Sequence, residues 1–419
     1  MTAAVDRRTD LMRALGGLAG DIVIDDPGIV AAYRRDESRF TEAGMPFAVL
    51  TPRSTDEVAA CLRACHELRV PVVTRGAGSG LSGGANAVSD GVVLSLHRMN
   101  AILAIDPVER LAVAQPGVVT GELRAAVAAQ GLLYPPDPGS VAFCTLGGNV
   151  ATGAGGMCCV KYGVTGDFVE ALEVVLADGR VLRTGTRTVK GVAGYDLTGL
   201  LVGSEGTLGV ITEITVRLVP APGPAATLVA SFADLAAAGS AVAAITAAGV
   251  SCSAVEILDR TTLRAVDAHA KMGLGEAAAM LLEARRLALP ALERLGDWLL
   301  DDVCVPRAEV VALIEAVERV AAETGLTIGV FGHAGDGNLH PPIIFDRGDA
   351  DSVAAATAAF DAVTAAALAL GGTITGEHGV GRLKATWLTR ELDPVNASIQ
   401  RELRRTFDPR AILNPGVVL

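Results

Sequence analysis

The 419-residue sequence has few lysines and no uncharged apolar run long enough to cross a membrane. Only four of its 35 basic residues are lysine, and 47 acidic residues bring the net charge to −12. This balance argues against nucleic acid or an anionic membrane as the main partner, because both attract basic surfaces. The mean hydropathy of +0.42 comes mostly from alanine. The longest apolar stretch, 353–370, is interrupted by Asp361 and threonines, which predicts an amphipathic helix and no transmembrane segment.

The cysteines form no C-x-x-C pair and no C-x-x-C-H haem-attachment motif, although there are seven of them. Cys61 and Cys65 are one helical turn apart, and Cys158 and Cys159 are adjacent. We expect free thiols in a reducing compartment. We also expect no signal peptide before the charged segment 6–10. The predicted location is therefore cytoplasmic, with any attachment to the inner membrane peripheral and through a partner.

The order of predicted elements indicates a mixed α+β chain with more than one domain. Ser54 and Glu57 are typical of a helix start, and the helix through Leu68 leads into a strand. A proline-rich segment, 220–224, predicts a domain boundary. Predicted strands lie at 70–74, 91–96, 102–106, 111–115, 171–176, 180–183, 210–218, 254–258, 327–332 and 342–345. Predicted helices lie at 120–130, 235–248, 261–271, 307–324 and 351–370.

Three of the six histidines lie in two glycine-containing motifs near the end of the chain. The first is His333-Ala-Gly-Asp-Gly-Asn-Leu-His340, in which two glycines permit a tight turn so that both rings can converge. The second is Thr375-Gly-Glu-His-Gly-Val-Gly381. Glu377 could complete a site with two nitrogen ligands and one oxygen ligand, which suits zinc, manganese or iron and leaves positions open. His378 would then be free to act as a base.

A second glycine-rich signature follows an apolar run at 71–74. The backbone amides of 75–84 could bind a diphosphate. The dinucleotide fingerprint G-x-G-x-x-G should open a helix and be followed by an acid about 20 residues later. Here the segment continues into the strand at 91–96, so alone it is also compatible with an ordinary glycine loop.

Three further motifs resolve that ambiguity. They are Asp137-Pro-Gly-Ser140, the glycine-rich segment 145–156, and Leu201-Val-Gly-Ser-Glu-Gly-Thr-Leu-Gly209. With these motifs in this order, the chain resembles the FAD-linked oxidase superfamily of vanillyl-alcohol oxidase and p-cresol methylhydroxylase. Within it, the likeness is to bacterial glycolate oxidase FAD subunits and D-lactate dehydrogenases. The resemblance extends from about residue 20 to Asn414-Pro-Gly416.

The resemblance implies an α+β fold with a two-part FAD-binding domain of the p-cresol methylhydroxylase type. An α/β cap domain carrying an antiparallel sheet would complete it. The implied domains are an FAD-binding domain at 1–220, a cap for substrate and metal at 221–375, and a C-terminal segment at 376–419 that returns to the FAD-binding domain.

The resemblance also implies which residues bind FAD. They are Arg75, Gly76, Ala77, Gly78, Ser79, Gly80, Leu81, Ser82, Pro138, Gly139, Ser140, Thr145, Gly148, Asn149, Thr152, Glu205, Gly209, Ile211 and Asn414. Relatives with covalently attached flavin often have a histidine at the position of Ser79. Because serine cannot form that bond, we expect non-covalent FAD.

By the same likeness, His333, His340 and Glu377 match divalent metal ligands, and His378 matches the catalytic base. Arg285 matches an arginine that binds the substrate carboxylate, although the family's tryptophan in that segment is leucine here. Two residues of the first histidine motif, Asp336 and Asn338, would either support a ligand ring or serve the turn.

The segment before Arg285 departs from the family, which has several tens more residues after Glu256. Either the segment is naturally short, or residues have been deleted or left out of the sequence. Both flanks resume the family register. This favours residues left out, at a junction between about Lys271 and Glu283.

The implied activity is oxidation of a small D-2-hydroxy acid, D-lactate or glycolate, with hydride transfer to flavin N5. Alternatives are a D-2-hydroxyglutarate dehydrogenase, an FAD subunit active only in a glycolate oxidase complex, and an alkyl-transferring relative. Pro341, Pro342 and Leu289 offer apolar surface, which favours a short substrate. Without a haem motif, electrons would leave to a quinone, an electron-transfer flavoprotein or a partner subunit. A homodimer is left open.

Overall fold

The computed structural model describes residues 2–271 and 281–418. Over these residues the α-helices are α1 (Thr2–Leu15), α2 (Ala19–Ile22), α3 (Pro27–Ala32), α4 (Thr55–Leu68), α5 (Thr120–Ala128), α6 (Leu146–Thr152), α7 (Cys159–Tyr162), α8 (Leu197–Leu201), α9 (Leu235–Ala247), α10 (Arg260–Ala270), α11 (Leu281–Leu292), α12 (Val310–Thr324), α13 (Ala350–Ala369), α14 (Ala385–Glu391) and α15 (Pro394–Phe407).

The strands of the same residues form five sheets. They are β1 (Val23–Ile24), β2 (Ala48–Leu50), β3 (Val72–Arg75), β4 (Val92–Ser95), β5 (Ile102–Asp106), β6 (Leu111–Ala114), β7 (Leu132–Leu133), β8 (Val169–Val175), β9 (Val181–Gly185), β10 (Val210–Arg217), β11 (Val219–Pro220), β12 (Ile257–Leu258), β13 (Asp297–Leu300), β14 (Val303–Cys304), β15 (Thr327–Ile328), β16 (Phe331–His333), β17 (Asn338–His340) and β18 (Pro342–Phe345).

The chain divides into two compact units. The first comprises Met1–Gly155, Val164–Ala221 and His378–Leu419, and the second comprises Gly156–Gly163 and Pro222–Glu377. Residues 272–280, where most of the predicted junction falls, and the side chain of Arg285 lie outside the described part of the chain.

A mainly parallel sheet, in the order β1-β2-β4-β3, forms the centre of the first unit. The strands β2 and β3 both pair with β4 in parallel, and β4 is buried along its whole length, as is typical of parallel strands covered on both faces. Helix α4 begins where the sequence predicts, because the Glu57 amide donates to Ser54 Oγ. The C-terminal segment joins this sheet beside β3: Val72 N–H donates to Ile412 and Asn414 N–H donates to Val72, each at 2.8 Å.

A five-stranded antiparallel sheet, in the order β5-β6-β10-β8-β9, completes the first unit. Each of these strands was predicted from the sequence. The long strand β10 lies at its centre and is buried at six of eight positions, so it anchors the sheet to the core.

Two antiparallel sheets, helix α7 and the helices α9 to α13 form the second unit. One sheet has the order β12-β16-β17-β14 and the other β13-β18-β15. The sequence predicted longer strands at 254–258 and 327–332 and no strand at 338–340. The structure instead divides 327–332 at Gly329 and adds β17, because the first histidine motif forms a β-hairpin.

Helix α13 is the one helix in the described residues long and apolar enough to cross a membrane, and 33% of its apolar window is buried. Its buried residues recur at spacings of three and four: Ala356, Ala359, Phe360, Val363, Thr364 and Ala367. Thr364 Oγ1 donates to Asp301 Oδ2 at 3.0 Å. Helix α13 therefore packs on the second unit through one face, and its remaining apolar residues, mostly alanine, are less buried.

Candidate functional site

The first histidine motif folds as a β-hairpin that brings its two imidazoles together. Strands β16 and β17 pair antiparallel, with His333 opposite Asn338 and Phe331 opposite His340. Since side chains alternate along a strand, this register places both histidines on one face of the hairpin. Their ring centroids are 5.1 Å apart. The turn needs Gly337, whose φ is +89° and where a Cβ would lie 2.1 Å from the Val305 carbonyl oxygen.

Glu377 meets both rings. Its Oε1 lies 3.2 Å from His333 Nε2 and 3.2 Å from His340 Nε2. Ligand atoms at about 2.0–2.2 Å from one metal ion are themselves roughly 3 Å apart, so this spacing fits a common metal. All three side chains are largely shielded from solvent. The residues predicted as ligands therefore have the donor types, the spacing and the burial that a divalent cation requires.

Two carboxylates that the sequence reasoning did not find lie behind the two rings. Strand β12 pairs with β16 so that Ile257 is opposite Gly332, which places Glu256 beside His333. Glu256 Oε1 is 2.7 Å from His333 Nδ1. Strand β14 pairs with β17 so that Val303 is opposite Leu339, and Asp302 Oδ1 is 3.4 Å from His340 Nδ1. A carboxylate on the outer nitrogen is typical of metal-binding histidines because it fixes the tautomer.

The charges of this cluster are strongly coupled. Burial acts to lower the pKa of His333, but the Glu377 and Glu256 carboxylates outweigh it and raise that pKa to about 10. Burial acts to raise the pKa of Glu377, but His333 and His340 hold it well below its usual range. The cluster therefore keeps Glu377 as a carboxylate, the form that binds a cation.

Glu256→Gln tests the support of His333. Glutamine keeps the shape but loses the charge, so we expect divalent metal affinity to fall by about 10- to 100-fold. A competition titration against a chelator of known affinity measures this change. Glu293→Gln, in the short helical turn after α11, is the matched control. Equal affinities in both variants and the wild type would show that Glu256 does not support the site.

Asn338 and Asp336, also in the hairpin, differ in their hydrogen bonding. Asn338 donates through Nδ2 to Asp302 and to the Val303 carbonyl, so it supports the carboxylate behind His340 and does not itself hold a ring. Burial raises the pKa of Asp336, which lies in the turn, to about 6. Its Oδ1 is buried and has no hydrogen-bond partner among the described residues.

His378 follows Glu377 in the chain and belongs to the first unit. Its carbonyl oxygen accepts a hydrogen bond from Ser82 Oγ at 3.1 Å. The backbone of the predicted base is thus tied to the predicted FAD loop within that unit.

The predicted FAD loop begins where β3 ends, at Arg75. This side chain is 9% exposed, and its Nη1 is buried without a hydrogen-bond partner in the described residues. Burial lowers its pKa, with partial compensation from Asp36. Gly78 is required beside it, because φ is +76° and a Cβ would lie 1.9 Å from Arg75 Nη2. A buried cation with an unused donor fits a site for an anionic or carbonyl group of a cofactor.

The glycine-rich segment 145–156 lies next to this loop. A Cβ on Gly76 would lie 2.3 Å from Thr145 Oγ1, so the two predicted segments are in close contact. Thr145 also caps α6 by accepting from the Gly148 amide at 3.3 Å. Asn149 Nδ2 donates to Thr120 at 2.7 Å. The structure thus brings these predicted residues together, and gives Asn149 a bond within the protein.

Glu205 and Asn414 connect the predicted FAD-binding segments of the first unit. Glu205 accepts from the amides of Val380 and Gly381 at 2.8 and 2.9 Å. Burial, opposed by these bonds, raises its pKa to about 7. Asn414 Nδ2 donates to the carbonyls of Gly84 and Glu205, at 2.7 and 2.8 Å. Both side chains therefore fix the backbone around the loop.

The remaining predicted FAD-binding residues differ in their surroundings. Gly209 and Ile211 lie against β8, and a Cβ on Gly209 would be 2.5 Å from Val174 Cγ1, so both pack beside this strand. Thr152 Oγ1 donates to the Gly148 carbonyl at 3.2 Å. Ala77 and Gly139 are exposed, Pro138 and Ser82 are buried, and Ser79, Gly80, Leu81 and Ser140 are half-buried.

Sequence comparison identifies both parts of the chain. A family described as FAD binding domain matches residues 46–185, and one described as FAD linked oxidases, C-terminal domain, matches 221–284 and 274–418. The last two matches overlap at 274–284, within the segment predicted to be shorter than in the family. The family resemblance predicted from the motifs is confirmed.

Curated relatives agree with these families. The glycolate oxidase subunit GlcD of Bacillus subtilis is 42% identical over 416 residues, covering 89% of this chain and 88% of the relative. A D-lactate dehydrogenase of Anaerostipes hadrus is 34% identical and covers 96% of this chain and 94% of the relative.

A solved structure of p-cresol methylhydroxylase with bound substrate has a TM-score of 0.74 to this chain, at 18% identity. It covers 99% of this chain, and this chain matches 97% of it. At this identity the likeness concerns the fold alone, and it confirms the predicted α+β fold of the p-cresol methylhydroxylase type.

Proposed function

Since this chain belongs to the FAD-linked oxidase family and is an FAD-dependent oxidoreductase, we propose that it oxidises a small D-2-hydroxy acid, D-lactate or glycolate, with a divalent metal. The cluster of His333, His340 and Glu377 is the observation that supports the finer part of this proposal. Two imidazoles and a carboxylate converge in a buried site, with a carboxylate beside the outer nitrogen of each ring. The relatives named glycolate oxidase subunit and D-lactate dehydrogenase support the substrate class.

When bound, the two cofactors supply a hydride acceptor at flavin N5 and a Lewis acid for the substrate hydroxyl. His333, His340 and Glu377 would hold the cation, and Glu256 and Asp302 would fix the tautomers of the two rings. His378 accepts the hydroxyl proton, a role that suits an imidazole near neutral pH. The proton thus leaves on the protein while the hydride leaves C2, and the product is the 2-oxo acid.

FAD is held without a covalent bond in this proposal. Arg75 has an unused buried donor, and it would hold the FAD diphosphate together with the amides of 76–82. Ser79 occupies the position at which covalent relatives have histidine. Arg285 binds the substrate carboxylate as a two-pronged donor.

The residues after the hairpin favour a short substrate. Pro341 and Pro342 follow His340, and both are buried. Proline offers no side-chain donor, so these positions provide no partner for a second carboxylate. D-lactate and glycolate are therefore preferred over D-2-hydroxyglutarate.

A second candidate role is an FAD subunit that works only within a larger complex. The relatives named glycolate oxidase subunit GlcD, in Bacillus subtilis and Escherichia coli, support it. In either role, electrons leave the flavin to a quinone, an electron-transfer flavoprotein or a partner subunit. Reduction of a dye by the purified chain alone separates the two roles, because a dependent subunit would fail in that assay.

Stopped-flow flavin bleaching tests the proposal directly. We expect D-lactate or glycolate to bleach the flavin, L-lactate and D-2-hydroxyglutarate to do so poorly, and prior chelation to prevent bleaching. Re-addition of zinc or manganese restores it. Bleaching that is indifferent to chirality or to complete metal removal would contradict the assignment.

A further inference from the structure

Asp302 is buried between the hairpin and the segment that carries Glu377. Its side chain is 2% exposed, which is unusual for a carboxylate unless hydrogen bonds compensate its charge. Oδ1 accepts a hydrogen bond from Asn338 Nδ2 at 2.8 Å and lies 3.4 Å from His340 Nδ1. This oxygen therefore contacts the strand that carries one ligand.

The other oxygen of Asp302 contacts the segment that carries another ligand. Oδ2 accepts three hydrogen bonds: from Thr375 Oγ1 at 2.7 Å and from the amides of Gly376 and Glu377 at 3.0 Å each. This segment is not part of the hairpin, and Asp302 itself precedes β14. One carboxylate thus ties together three separate stretches of chain.

We propose that Asp302 is the positioning residue of the metal centre, holding the His340 ring and the Glu377 backbone in the one arrangement in which both ligands meet. The Asp302 carboxylate, 3.4 Å from His340 Nδ1, favours the tautomer with its proton on that nitrogen, which leaves the Nε2 lone pair for a cation shared with Glu377. The three bonds to Oδ2 fix the chain from which Glu377 projects. This inference rests on the metal centre of the proposed function.

Asp302 differs from Glu256 in the number of ligands it reaches. Glu256 contacts His333, whereas Asp302 acts on His340 and Glu377 together. Hydrogen bonds to a charged carboxylate such as Asp302 are stronger than bonds between neutral groups, and the low dielectric of the interior strengthens them further. Loss of this one group therefore disturbs two of three ligands at once.

Asp302→Asn is the decisive variant. Asparagine has a single acceptor oxygen, so its NH2 group must face either the hairpin donors or the donors of 375–377. We expect zinc or manganese affinity of the full-length, FAD-containing protein to fall by about 10- to 100-fold. A competition titration with a fluorescent chelator gives the dissociation constant. The EPR spectrum of bound manganese reports the ligand geometry, which we expect to change.

Asp301→Asn is the matched control. Asp301 is equally buried and adjacent, but its carboxylate accepts from Thr364 of α13 and from the Asp302 amide. We expect unchanged metal affinity and an unchanged manganese spectrum in this variant. Equal dissociation constants for the Asp301 and Asp302 variants would overturn the inference.

Thr375→Val provides a milder test that does not depend on Asp302→Asn folding. It removes one donor to Oδ2 and leaves the carboxylate in place, so we expect about a two- to tenfold loss of affinity. Unchanged affinity and an unchanged spectrum in a folded Thr375→Val protein would overturn the inference.

Metal binding by the wild type distinguishes failure of the proposed metal centre from failure of the role of Asp302. A wild-type protein that binds FAD but no divalent metal would refute the proposed metal centre, and this inference with it. A wild type that binds metal as tightly as the Asp302 variant would refute only the role of Asp302.

Discussion

We expect His333→Ala and His340→Ala each to abolish metal binding while leaving FAD bound. Each imidazole lies 3.2 Å from the same carboxylate oxygen, so removal of either leaves a site with two ligands. Because changes behind a ligand already cost about 10- to 100-fold in metal affinity, loss of a ligand should cost more than about 100-fold. Metal analysis by mass spectrometry measures the cation, and absorbance of the same sample near the flavin maximum measures FAD.

Flavin absorbance should survive because the predicted FAD loops belong to the other compact unit. Chelation of the wild type should reproduce the loss of flavin reduction. His269→Ala is the control histidine: it lies in the same unit, at the end of α10, and contacts Arg294. Full turnover by rigorously metal-free protein would refute metal dependence.

The sequence predicts the cluster of two histidines and Glu377 because the signals for it are local. Two histidines with intervening glycines predict a turn. In the structure both rings lie 3.2 Å from Glu377, the acid of the second motif. The fold follows from the same kind of signal, since several glycine-rich motifs in a fixed order are specific to one family. The start of α4 at Ser54 and the strands of the five-stranded antiparallel sheet likewise follow from local pattern.

The carboxylates behind the rings were not predictable in this way. Glu256 and Asp302 reach His333 and His340 only through the register of β12 on β16 and of β14 on β17. Register between strands distant in sequence depends on tertiary packing, which local pattern does not reveal. One signal was available: each acid directly precedes a short apolar strand, Glu256 before β12 and Asp302 before β14.

The division of the chain into two units could not be predicted in full from local sequence patterns either. Residues 156–163 belong to the second unit although they are flanked on both sides by the first. Within the second unit, a Cβ added to Gly335 would lie 2.9 Å from the side chains of both Val160 and Val255, too close for any residue but glycine. A glycine in the histidine motif thus admits a segment from far earlier in the chain, a close approach that only the folded structure reveals.

His378→Ala tests the identity of the base. We expect this variant to keep both FAD and metal, since the base is not a ligand in the proposed arrangement. Removal of a general base lowers the rate of proton transfer, so flavin reduction by D-lactate or glycolate should slow by about 10²- to 10⁴-fold. Stopped-flow bleaching at saturating substrate isolates this step from electron transfer to the acceptor.

The metal content of His378→Ala separates a base from a ligand. A base variant loses rate at normal metal content, whereas His340→Ala loses rate together with metal. Small amines or imidazole added to His378→Ala should restore part of the rate, because an external base can replace a missing one, but they should not restore His340→Ala. Loss of metal from His378→Ala with a normal residual rate per bound metal would reverse the roles of His378 and its neighbours, and would make His378 a ligand.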